Sequence, residues 1–106
     1  MKNKVYKKIF DKIFSLENEV TSITGGYSLD RLLWFLLGYI DALRENCDVP
    51  ITFMSEFSNF AMDEMRVNQA RSKGWQYYFR ILHPSEEKAV AAFFEMMHRF
   101  FFMVNE

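Results

Sequence analysis

The sequence predicts an all-α fold in a single compact domain, and three observations lead there. Every long segment of the 106 residues repeats its apolar side chains at helical spacing. Half of the residues are hydrophobic, and 12 Phe, 5 Tyr and 2 Trp supply bulk for a packed interior. Only 4 Gly and 2 Pro are present, which leaves little of the turn chemistry that β architectures require. A chain of this length builds one core and not two. Residues 1–106 are therefore expected to form one domain of four or five helices.

The first helix is predicted from Lys4 to Val20. Val5, Ile9, Ile13, Leu16 and Val20 step by four, four, three and four, with Tyr6, Phe10 and Phe14 widening the stripe and lysines on the other side. Thr24-Gly25-Gly26 ends that region, because paired glycines permit positive φ and break helices. Ser28 caps a second helix that runs to about Asn46, with Asp30 in its first turn. Leu29, Leu32, Leu33, Leu36, Ile40 and Leu43 form its main stripe. Trp34, Phe35 and Leu37 lie off that stripe. The helix is therefore expected to be central in the domain, the alternative being a second apolar face offered to a partner.

Pro50 biases Val49 away from helical conformation and marks the next break. A third helix is predicted from Thr52 to Gln69, with Phe53, Phe57, Phe60, Ala61 and Met65 inward and Glu56, Asn59, Asp63 and Arg66 outward. Residues 70–74 are polar, close on a glycine and read as a loop. Trp75 to Leu82 satisfies both the helical and the alternating pattern. It is read as a helix, because a lone strand would lack a ladder partner. The alternative is an α+β fold with a short strand pair near 49–53 and 75–82. The last helix begins at Ser85, a good N-cap, with Glu86 and Glu87 where the helix dipole favours negative charge. It is apolar over most of its girth, along Val90, Phe93, Phe94, Met97, Phe101 and Val104 and along Ala89, Ala92, Met96, Phe100 and Met103, so it must be buried by its neighbours.

Charge is unevenly distributed although the chain is nearly neutral overall. Residues 1–12 carry five lysines against Asp11, whereas residues 13–70 carry nine acids against three arginines. The neutral balance argues against a dedicated nucleic-acid binder, while an acidic middle can steer a basic protein partner. A single cysteine, Cys47, cannot form an internal disulfide and suits a reducing compartment. The basic start is amphipathic and not followed by the apolar core of a signal peptide. The apolar run from Leu32 to Ile40 is about half the ~20 residues a membrane span needs. A soluble, cytoplasmic protein without membrane contact is the expectation.

No pattern of reactive residues points to catalysis. Cys47 has no histidine near it in sequence, so nothing there marks an activated nucleophile. His83 and His98 are fifteen residues apart and no CxxC or HxxxH occurs. Glu95 and His98 match half of a di-iron helix motif, and lack the other half. Gly25-Gly26 has no phosphate-loop context. Lys73, Trp75, Tyr77, Tyr78 and Arg80 come closest to a nucleic-acid stacking platform, but Trp75 and Tyr77 are expected to pack inward. No catalytic, cofactor-binding or metal residues are assigned, and the protein is expected not to be an enzyme.

Gly74-Trp75, an aromatic stretch ending in Ile81-Leu82, the turn from Pro84 to Ala89 and Phe93-Phe94-Glu95 follow one another in the C-terminal third. This succession resembles the C-terminal half of small immunity proteins of bacterial polymorphic toxin and contact-dependent growth inhibition systems. The resemblance implies a cytoplasmic inhibitor that binds a cognate toxin domain, often a tRNA-directed nuclease, and covers its active or substrate-binding surface. Such proteins have no activity of their own, and neither a cofactor nor direct nucleic-acid contact is expected for this chain. They share no universal contact motif, so contact residues come from charge alone: Asp48, Glu56, Asp63 and Glu64. The second reading is a helical adaptor or regulatory subunit working through homo- or hetero-oligomeric contacts.

Overall fold

Six helices follow one another in the computed structural model, which describes residues 4–46, 51–68 and 73–105. They are α1 (Lys4–Leu16), α2 (Val20–Thr24), α3 (Leu29–Glu45), α4 (Phe53–Glu64), α5 (Trp75–Leu82) and α6 (Glu86–Val104). No strand occurs among the described residues, and Trp75 to Leu82 is a helix. The fold is all-α, with one helix more than the sequence reading anticipated.

The extra helix comes from a break in the first one. Lys4 to Val20 was expected to be continuous, but α1 stops at Leu16 and the chain turns through 17–19 before α2. The turn is closed by short-range backbone bonds, the Glu17 N–H to the Phe14 carbonyl at 3.3 Å and the Glu19 N–H to the Leu16 carbonyl at 2.9 Å. Glu17 turns outward and its Oε1 lies 2.9 Å from His98 Nε2 on α6. The turn keeps Leu16 and Val20 both buried, so the apolar stripe survives the break. Gly25 then closes α2 in the left-handed region at φ 73°.

The caps read from sequence at α3 and α6 are made. Ser28 Oγ accepts the Arg31 N–H at 3.2 Å, and Ser85 Oγ accepts the Lys88 N–H at 3.4 Å. A third link joins the two helix starts, because Glu86 Oε2 accepts the Leu29 N–H at 2.9 Å. Glu86 also receives Arg80 Nη1 at 2.8 Å, while Arg80 Nη2 reaches Asp30 at 3.0 Å. One arginine of α5 thus holds the first turns of α3 and α6 together. Burial pulls the Arg80 pKa down, and the two carboxylates more than offset that, leaving it above its ordinary value.

The third predicted helix overran. The sequence reading carried it to Gln69, yet α4 ends at Glu64. The Val67 N–H bonds the Met62 carbonyl at 2.9 Å and the Arg66 N–H bonds the Asp63 carbonyl at 3.1 Å. Those two bonds are the paired closure of a Schellman motif, with Arg66 at φ 59° in the position usually taken by glycine. Without that glycine, nothing in the sequence marked the stop.

The core is aromatic, and α6 runs through its centre. Phe100 is fully buried and meets Phe10 of α1 and Phe53, Phe57 and Phe60 of α4 at ring separations of 5.4–5.7 Å. One layer away, Phe93 joins Phe57 and Trp75, tying α4 and α5 to α6. These separations suit edge-to-face and offset ring packing, which adds to simple area burial. Helix α3 lies against α1, α2 and α6 through Leu29, Leu32, Leu33, Leu36 and Ile40. No helix of the described residues is long and apolar enough to cross a membrane.

Candidate protein-binding surface

Helix α3 is not enclosed, contrary to the central position expected of it. Its inner stripe is buried, but Trp34 is 73 % exposed, and Leu37 and Phe35 are exposed as well. The reason is phase. Trp34, Gly38, Ala42 and Glu45 stand opposite the buried stripe at helical spacing, and among the described residues no other helix covers them. Tyr77, also expected inside, is 46 % exposed on α5, where only Trp75 and Phe79 turn inward. Isolated exposed apolar residues are ordinary on any protein. A tryptophan at the crest of a well-capped helix, flanked by further apolar side chains, is less so.

Two features border this crest. On one side Lys12 of α1 places its Nζ 5.7 Å from the Phe35 ring and 5.5 Å from the Tyr39 ring, so those faces are occupied from within. On the other side an open cleft of about 560 Å³ separates α3 from the start of α4. Leu37, Ile40, Ile51 and Met54 make its apolar walls, and Asp41 and Arg44 stand at its edge.

Gly38 also lines the cleft, in the middle of α3. A Cβ built there would meet nothing within 4 Å. Glycine inside an exposed helix costs about 1 kcal/mol relative to alanine. Neither backbone conformation nor internal packing requires it here, and its effect is to bare the helix backbone at the crest.

The carboxylates proposed from sequence are distributed along the neighbouring helix. Glu56 lies in the first turn of α4, and Asp63 and Glu64 lie in its last; all three are in exposed residues. Asp48 falls outside the described residues. Glu56 is not simply solvated: it accepts a hydrogen bond from the Tyr6 hydroxyl, which also lies 2.9 Å from Thr52 Oγ1. Burial and the facing carboxylate push the Tyr6 pKa up to about 12. Asp63 and Glu64 are the other acids of α4, both exposed in its last turn. Trp34 and Leu37 form the second apolar face that the sequence offered as the alternative to a central α3. Their helical phase relative to Leu29, Leu33 and Leu36 was the available signal.

The Glu95–His98 pair does not act as a unit. Glu95 holds Arg99 at 2.7 Å, while His98 stacks flat on Phe14 at 4.2 Å and bonds Glu17. Among the described residues no three His, Cys, Asp or Glu side chains gather as a metal site. Comparison with known proteins finds no matching family model, no matching curated relative and no matching solved structure.

Proposed function

We propose that this chain acts by binding another protein, as an immunity protein that neutralises a basic toxin domain by covering its active or substrate-binding surface. The observation that supports this is the division of charge between helices. Lys4, Lys7 and Lys8 stand exposed on α1, whereas α3 and α4 together bear six carboxylates against two arginines. A nuclease that grips RNA presents a basic surface, and an acidic counterface accelerates its encounter and fixes its orientation. Asp63 and Glu64 on α4 are the groups assigned to that counterface.

Of the residues that carry the resemblance, Trp75, Ala89, Phe93 and Phe94 are buried, whereas Ile81, Leu82 and Glu95 are exposed. The buried ones bear on the fold of α5 and α6, and the contact surface rests on charge alone. The test is a binding measurement with the product of the gene directly upstream, where a toxin gene would lie. Charge reversal at Asp63 and Glu64 should slow association with little effect on folding. A complex whose association rate is unmoved by both reversals would remove this surface from the account.

A further inference from the structure

We propose that a second copy of this chain docks on the crest of α3, the two α3 helices running antiparallel about a two-fold axis at Gly38. This goes beyond the toxin-binding proposal and uses a different surface. A two-fold contact requires a patch that complements its own inverse. In antiparallel register about Gly38, each position lies abreast of the one equally far on the other side in the second copy.

The α3 sequence fits that requirement at three levels. At the axis, glycine meets glycine, and the bare backbone allows close approach. Four residues out, the exposed indole of Trp34 lies abreast of Ala42 in the second copy, large against small. Seven residues out, Arg31 lies abreast of Glu45, opposite in charge. Trp34 also arrives beside the partner copy's cleft, whose near wall is built by Leu37, Gly38 and Asp41. The cleft offers apolar walls and space enough for an indole. Each copy supplies one knob and one hole, so a dimer closes with no unmatched end. Both contacts are isologous, as the commonest homodimers require. Asp63 and Glu64 belong to α4 and take no part in the pairing.

A single helix face per copy makes a small interface, so the dimer should be concentration-dependent. Light scattering or sedimentation over about a hundredfold range of protein concentration reads this directly. Wild-type protein should rise from 12.7 kDa toward twice that mass, with Trp emission shifting to shorter wavelength as Trp34 leaves water. Trp34→Glu should hold the protein monomeric throughout. Gly38→Gln is the second variant: a Cβ there meets nothing within 4 Å and glutamine is the better helix former, so it should fold at least as stably and still fail to dimerise. Arg31→Glu and Glu45→Arg should each weaken the dimer, and the double exchange should restore it. Wild-type protein that stays monomeric at every concentration would overturn the proposal. So would a dimer that both Trp34→Glu and Gly38→Gln leave intact, since that would place the contact elsewhere, such as the exposed Phe102 and Met103 at the end of α6. Trp34→Glu should still bind the toxin domain, and reversal at Asp63 and Glu64 should still dimerise, so the two proposals fail separately.

Discussion

The hydroxyl of Tyr6 donates a hydrogen bond to the carboxylate of Glu56, joining the first helix of the chain to the first turn of the fourth. Tyr6 is otherwise buried, with its ring edge-to-face on Phe53 at 5.2 Å. A residue proposed from sequence as a partner contact is thus held by the protein's own core. Burial of Tyr6, and this bond after it, give the protein a pH signature.

Tyr6 loses its proton near pH 12 in the folded state against an ordinary value of 10.0. Between those values the native state retains a proton that the unfolded chain has released, so stability falls as pH rises. The contribution is complete below about pH 10 and is lost as pH rises through about 12, amounting to at most ~2–3 kcal/mol. Tyr6→Phe should remove this alkaline limb and cost about 0.5–1.5 kcal/mol near neutrality. Denaturant midpoints of both proteins across the alkaline range make the comparison, and parallel curves would show that Tyr6 titrates alike in the folded and unfolded chain.

Phe100→Ala should be among the most damaging substitutions in the chain. Its ring meets four others from α1 and α4 and is fully buried. The expected loss is about 3–5 kcal/mol, a large share of the ~5–15 kcal/mol that holds a domain of this kind. Equilibrium unfolding measures it, and a loss under 1 kcal/mol, taken roughly as the cost of an ordinary surface change, would place Phe100 outside the core.

Arg66→Gly should stabilise the protein. Arg66 sits at φ 59°, where a side chain costs about 1–2 kcal/mol and glycine costs far less. Part of that gain is returned as unfolded-state freedom, leaving about 0.5–1 kcal/mol. A rise in denaturant midpoint at constant slope is the expected result, and an unchanged midpoint would mean the Schellman closure does not form in solution.

The fold was largely legible because burial follows helical phase. Leu29, Leu32, Leu33, Leu36 and Ile40 repeat at that spacing and all are inside, as are Ile9, Ile13, Phe93 and Met97. The caps at Ser28 and Ser85 were legible for the same local reason. The ends of α1 and α4 were not, because the chain turns there without glycine or proline: at Glu17 the turn answers to a histidine 81 residues away, and at Arg66 to backbone hydrogen bonds. The surface was the least legible part. Apolar character places Trp34 and Tyr77 inside by default, and only the absence of a covering helix puts them outside. The bond from Tyr6 to Glu56 left no local trace either, since the two lie 50 residues apart.

The central claim is that the acidic last turn of α4 meets a basic protein partner. Stopped-flow association with the product of the upstream gene, followed as salt is raised, tests it most directly. The wild-type association rate should fall steeply as screening shortens the reach of the charges. The Asp63→Lys, Glu64→Lys double variant should associate about tenfold more slowly at low salt, with a flatter salt dependence. A wild-type complex that forms at a salt-independent rate, equal to that of the double variant, would contradict the account.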